Sequence, residues 1–386
     1  MTTYLRCLTF SVAAIFVIGA AINFVLDPVG YFRHTGWNVG PLAGERVWAD
    51  ERLTFALSIH ALRPDTLIAG TSRVRHGFAM DNEELPPELG STLRLGIRGA
   101  RFSELEYYIR RVLDNGSLRH LAIGLDLGQF LRGDAAQSSV EKQTGHNAQG
   151  SVRPWVAGVT ALWSRQAFLG SASIPFRPHP VRLDGSGNIE VMQRRVRARG
   201  HRELTRVFER RMAKTLPGFD EQIYTAHMAK LDALLAHACK ASTDVRLFVS
   251  PLHARQLLLL RETARLDLFH EWKAALATLV DAHESGGCDV TLTDFSMVSS
   301  YTSESFPERG DKQEQMRWYW ESSHYTYRLG QMIIDQLWKN GEGSPDFGRR
   351  LTASNRAELL AEEQRALQAL IKEQPALAKE IRDLVR

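Results

Sequence analysis

Five short apolar runs leave few folds open to this chain. Residues 66–69, 92–95, 120–125, 245–249 and 289–292 read as strands, and helical spacing fills 102–113, 224–238, 257–282 and 327–338. Strand alternating with helix predicts an α/β fold, a central parallel sheet covered on both faces in a three-layer α/β/α arrangement, with ligands gathering at the carboxyl ends of the strands. A helix over 45–62 leads into the first strand. With 386 residues, 44% of them hydrophobic, the chain can bury one large core or two modest ones. The formal charge of +4 is spread over many arginines without long runs, which gives little support to nucleic-acid binding.

Ahead of this body, residues 8–26 form an uncharged run in which Asn23 is the one strongly polar side chain. That is long enough to cross a bilayer as one helix. Arg6 precedes the run and Asp27-Pro28 ends it, so the positive-inside tendency places the body beyond a bacterial inner membrane, facing the periplasm or cell exterior. Gly19, Ala20 and Ala21 would suit a signal peptidase, making a cleaved signal peptide the rival reading. The apolar run continues past them, which favours an uncleaved anchor, residues 1–27.

Two stretches interrupt the alternation within the main domain, 28–343, and after it. Residues 132–216, with a turn at Asp184-Gly185-Ser186-Gly187, are too long for a crossover and read as a partly helical insertion able to form a lid. Residues 344–386 have helical spacing interrupted at Pro375, as either a packing or partner-binding helix or a solvated appendage. Cys239 and Cys288 each stand just before a strand-like run. If those strands are parallel neighbours, an oxidising compartment would allow a disulfide between them.

The first strand ends in Gly70-Thr71-Ser72-Arg73, where a hydroxyl can be presented at a sheet edge, and Ser72 reads as a nucleophile. Near the end of the chain, Glu321 lies three residues before His324. A carboxylate so placed can accept from one imidazole nitrogen while the other faces a serine hydroxyl, which supplies a base and its orienter. His253 closes the fourth strand on the same sheet edge, lining the pocket or stabilising a turn. Arg73 can meet an anionic polymer, Arg75 and His76 read as solvated, and Trp320, with Trp318 and Tyr319, either stacks on sugar rings or packs in the core. No metal-ligand spacing or nucleotide-binding glycine motif is present in the sequence, so no cofactor is expected.

Together these blocks resemble the SGNH/GDSL hydrolase superfamily, in particular its membrane-anchored branch that includes alginate acetylation proteins and the D-alanyl transfer protein of teichoic acid synthesis. The resemblance spans roughly residues 64–337. It implies an SGNH-hydrolase, flavodoxin-like sheet, with Ser72 as nucleophile and oxyanion donor, Gly99 of Gly96-Ile97-Arg98-Gly99-Ala100 as a second donor, and Glu321 and His324 as acid and base. It also implies acyl-ester chemistry, as O-acetyltransferase or acetylesterase, on a cell-envelope or exported polysaccharide beside a membrane-bound acyltransferase. Two positions depart from the pattern. Glu321 replaces the usual aspartate, and Asp126 stands where an asparagine normally completes the oxyanion hole. An ionised Asp126 would repel an oxyanion, so it points elsewhere, is protonated, or leaves the hole to Ser72 and Gly99. A catalytically inactive glycan-binding or assembly protein on the same fold is the alternative.

Overall fold

The structure, a computed structural model, describes residues 2–34, 46–47, 52, 54–55, 63–81, 84–133, 154–173, 181–182, 184–216, 218–308, 310–339, 344 and 346–385. It begins with the long apolar helix α1 (Thr2–Leu26). The body then runs β1 (Thr66–Gly70), α2 (Ser72–Gly77), β2 (Thr92–Gly96), α3 (Phe102–Asp114), β3 (His120–Leu125) and α4 (Leu127–Phe130). Helices α5 (Pro154–Trp163), α6 (Arg165–Ser173), α7 (Ile189–Arg199) and α8 (His201–Thr215) belong to the insertion. There follow α9 (Glu221–Lys240), β4 (Asp244–Val249), α10 (Ala254–Glu262), α11 (Leu266–Ser285) and β5 (Val290–Asp294). The chain closes with β6 (Tyr319–Glu321), β7 (His324–Tyr325), α12 (Tyr327–Trp338), β8 (Arg349–Arg350), α13 (Arg356–Glu373) and α14 (Pro375–Val385).

Six strands form one sheet in the order β8-β5-β4-β3-β1-β2. All its pairings are parallel except that of β8 with β5. Because side chains alternate faces along a strand, Leu67 and Ala69 enter one apolar core while Ile68 enters another. The same split separates Leu121 and Ile123 from Ala122, and Leu247 and Val249 from Phe248. The larger core takes its helical side chains from α3, α4, α9, α10, α11, α13 and α14, and the smaller mainly from α2 and α12. All five expected strands form, and the helix over 327–338 has the expected ends.

One expectation changes, and one left open is decided. The helix read over 257–282 is two helices, broken at Thr263-Ala264-Arg265, where Ala264 takes φ +53°. Neither glycine nor proline marks that break. The C-terminal stretch is no solvated appendage: Leu359, Leu367, Leu370 and Ile381 are buried in the larger core, and Arg349–Arg350 add an edge strand. Pro375 starts α14, where its missing N–H costs nothing. The helix expected over 45–62 falls mostly outside the described residues, although Arg46–Val47 pair as a short strand with Val181–Arg182.

The described part of the insertion divides between two places. Its first two helices lie on α1, and α8 packs on the hairpin made by β6 and β7. Its Asp184-Gly187 turn seals the free edge of β2: Arg94 N donates to Asp184 O at 2.8 Å, and the Arg94 guanidinium meets the Asp184 carboxylate at 2.6 Å. Gly185, at φ +81°, passes so close that a Cβ would lie 1.9 Å from Arg94 O, which reserves the position for glycine. The strands β4 and β5 are parallel neighbours, and Cys239 and Cys288 ahead of them form a disulfide with Cα atoms 5.2 Å apart.

Candidate active site

The carboxyl end of β1 turns directly into α2, with Thr71 as N-cap, its hydroxyl accepting from Arg73 N. Ser72 is therefore the first residue of a helix entered from a buried strand, and its side chain stays only partly covered. Its Oγ lies 2.8 Å from His324 Nε2. The sequence separation of 252 residues is bridged by a β-hairpin: β6 and β7 are antiparallel, Glu321 pairs with His324, and Ser322-Ser323 form the turn. The three-residue spacing seen in the sequence is thus a cross-strand pair.

Glu321 Oε1 bonds His324 Nδ1, and Oε2 accepts from Ser323 N at 2.8 Å. A carboxylate can only accept here, so Nδ1 carries the imidazole proton and Nε2 is left to accept from Ser72. The extra methylene of glutamate relative to aspartate is absorbed by the hairpin, whose turn also holds the carboxylate from behind. Surrounding groups fix that turn: Ser322 Oγ accepts from Gln256 Nε2 at 2.8 Å, Ser322 N donates to Thr205 Oγ1 at 3.3 Å, and His201 Nδ1 donates to Trp320 O at 2.9 Å.

Asp126 caps α4 through a capping box with Gln129. One carboxylate oxygen accepts from Thr71 Oγ1 at 2.6 Å and the other pairs with the Arg73 guanidinium. Arg73 in turn donates through Nε to Ser323 O at 3.0 Å and through Nη2 to Ser323 Oγ at 3.2 Å. The carboxylate that would repel an oxyanion is thereby compensated, and of the three options left by the sequence the first applies: Asp126 points to Arg73 and Thr71. Arg73 joins the helix that carries Ser72, the end of β3 and the hairpin that carries His324 in one network.

Gly99 takes φ +62° in the loop after β2, and a Cβ there would lie 3.6 Å from the Arg132 guanidinium. Arg132 sits among Arg101, Arg211 and Asp126, and burial with the two neighbouring cations lowers its pKa. The rim next to Gly99 is therefore electropositive. Two further residues meet His324: the His76 ring stands edge-on at 5.2 Å between centroids, and the Phe208 ring of α8 at 5.7 Å. Burial, then the proximity of His324 and several arginines, pushes the His76 pKa well below that of free histidine. His76 and Arg75 are buried, against the sequence expectation of solvation. His76 follows Ser72 by one helical turn, and that i, i+4 spacing is the signal that could have found it. Phe208 carries no such signal.

The remaining candidates are placed away from this hydrogen-bond chain. His253 is buried as the N-cap of α10: Nδ1 accepts from Arg255 N at 3.2 Å and Nε2 donates to Glu304 O at 2.8 Å, the turn-stabilising arrangement. Trp320 is buried against Met192 and Val196 of α7. Tyr319 enters the smaller core, with Trp318 packed against it. No protein-family model matches the chain, and no curated protein matches it.

Proposed function

We propose that this chain is a membrane-anchored, extracytoplasmic SGNH-like acyl-ester enzyme, of three-layer α/β/α build, acting on a cell-envelope or exported polysaccharide. The observation that carries the reading is the chain Ser72 Oγ to His324 Nε2 at 2.8 Å, with Glu321 on Nδ1. In the first step His324 takes the Ser72 proton as Oγ bonds the acyl carbon. The tetrahedral oxyanion is met by the N–H groups of Ser72 and Gly99, the ester C–O bond breaks, and His324 returns its proton to the leaving alkoxide. In the second step an acceptor hydroxyl gives its proton to His324, attacks the Ser72 ester and carries the acyl group away. His324 then returns the proton to Ser72. A sugar hydroxyl as acceptor makes the enzyme an O-acetyltransferase, and water makes it an esterase.

Transfer is the favoured branch. Phe208 and His76 crowd the base and limit the room for water, as transfer in competition with hydrolysis requires. The apolar α1 supports placement beside a membrane-bound acyl donor. The electropositive rim at Arg101, Arg132 and Arg211 supports an acceptor glycan that carries negative charge.

The test uses the full chain in detergent with a nitrophenyl acetate, following rates and intact mass. An acetyl adduct on Ser72 that disappears in Ser72→Ala and His324→Ala is the expected result. Folded wild-type protein with neither turnover nor adduct would sink the enzymatic reading in favour of a glycan-binding protein on this fold.

A further inference from the structure

The carboxyl half of α1 does not stand alone. A Cβ at Gly158 of α5 would lie 3.6 Å from the Tyr31 ring, just beyond the end of α1. Further along α5, Leu162 O accepts from Asn23 Nδ2 at 2.8 Å, and the Trp163 ring lies 5.3 Å from that of Phe16. Helix α6 then retraces the path: a Cβ at Gly19 would fall 2.5 Å from the Phe168 ring, and Ser171 Oγ donates to Asn23 Oδ1 at 2.7 Å. The pair therefore runs down α1 with α5 and back up with α6, reversing beside Phe16.

Depth follows from helix geometry. Phe16 precedes Leu26 by ten residues, about 15 Å of helix, which is roughly half of a ~30 Å hydrocarbon core. A segment that reaches Phe16 reaches that depth too. Composition agrees: residues 154–164 carry no charge, and Arg153 and Arg165 bracket them. Val159, Trp163 and Leu169 are exposed on the described surface of the pair. Both segments are helical, and at the tip Leu162 O accepts from Asn23 while Ala167 N donates to Ser164 Oγ at 3.0 Å, so part of the backbone left over at the helix ends is also paired, as hydrocarbon demands. Asn23, otherwise a polar side chain within the span, is satisfied by this pair.

We infer that residues 154–173 form a second membrane-inserted element, a helical hairpin that enters and leaves the leaflet on the body side, with lipid acyl chains covering Val159, Trp163 and Leu169. The inference rests on α1 spanning the bilayer and is independent of the acyl chemistry. Arg165 near the tip is the charge carried in. Its long side chain draws headgroup phosphate or water to itself, which offsets part of the ~2.5–3.5 kcal/mol that a central arginine costs. Two attachments in place of one fix the height and rotation of the body above the membrane, which a single helix on a short linker does not.

The test labels single cysteines at Val159, Leu169, Ile18 and Glu190 with an environment-sensitive NBD fluorophore, in the full chain with Cys7→Ser and the disulfide intact. The protein is reconstituted into phosphatidylethanolamine/phosphatidylglycerol vesicles, with or without lipids bearing acyl-chain nitroxides. Glu190, exposed on α7, is the aqueous reference, and Ile18, on the bare face of α1, is the lipid reference. Expected are blue-shifted emission at Val159 and Leu169 and nitroxide quenching several-fold above that at Glu190. Quenching at Ile18 without quenching at the other two overturns the hairpin and leaves the span standing. Blue-shifted but unquenched labels overturn it in favour of a protein partner, and an unquenched Ile18 removes the span and the hairpin together.

Discussion

Two buried clusters in this molecule use nearly the same side chains to opposite ends. At the edge of β1 stand Ser72, His324, Glu321, Arg73 and Asp126. Under α13 stand Ser296, His270, Glu363, Lys273 and Asp294. In the second cluster Lys273 Nζ donates to Asp294 at 2.8 Å and to Glu363, and His270 donates to Glu363 at 2.8 Å. Burial alone would raise the Glu363 pKa, but Lys273 and His270 bring it below the ordinary value. Ser296 Oγ donates to Asp294 at 2.6 Å and is fully buried. Its proton is held by a carboxylate with no route to substrate. Ser72 instead faces a basic nitrogen and remains partly open. Residue type does not separate the two clusters; the acceptor of the serine proton and the access to it do.

The sharpest way to break that comparison is to remove each serine. Ser72→Ala should lower ester turnover by about 10⁴-fold or more with no change in thermal midpoint, whereas Ser296→Ala should leave the rate as it was. Equal losses would end the distinction. Lys273→Met leaves Glu363 and Asp294 buried without their cation and should cost about 3–5 kcal/mol in denaturant unfolding. A stable variant would show that the second cluster is not cohesive. Arg73→Lys keeps the charge but loses the fork that spans Asp126 and Ser323. If the hairpin shifts by about 1 Å, kcat should fall by up to about 10²-fold with KM held; a change in KM alone would make Arg73 a substrate-binding group.

The smallest effect concerns pH. Burial lowers the His253 pKa to about 3 and that of His76 in the same direction. Both are neutral in the folded protein and bind protons more readily when unfolded, near pH 6.5. The His253 contribution is complete above pH 6.5 and is lost as pH falls toward about 3, and that of His76 is lost in the same direction. A thermal midpoint that declines by a few degrees over that window is expected. His253→Gln should flatten the decline and leave turnover unchanged; an unaltered slope would assign the decline elsewhere.

The sequence carried the strands and the carboxylate-imidazole pair because both are local. Short apolar runs, buried almost throughout, mark β1 to β5, and Glu321 to His324 is a three-residue spacing that a tight turn can bring together. What escaped it depends on distance in the chain. The Arg73–Asp126 pair joins residues 53 apart, and without it Asp126 looks like a fault in the oxyanion site. Arg75 and His76 read as solvated because nothing local announces that β2 and the Asp184 turn close over them. The break at Ala264 is likewise invisible, since an alanine with φ +53° is imposed by tertiary packing and has no compositional mark. In the insertion, spacing reveals helices but not which surface each will find.

Glu321 and His324 occupy opposite sides of a two-residue turn, so carboxylate and imidazole move as one cassette and keep each other's geometry wherever the hairpin goes. Ser72 belongs to a different piece of chain. Between the two pieces the proposed reaction would depend on a single seam, the Ser72 Oγ to His324 Nε2 bond, with Arg73 as its clasp. A displacement that opens the seam leaves the histidine fully oriented and the sheet fully folded, yet turns Ser72 back into an ordinary alcohol. In this architecture competence is a matter of docking, separable from folding.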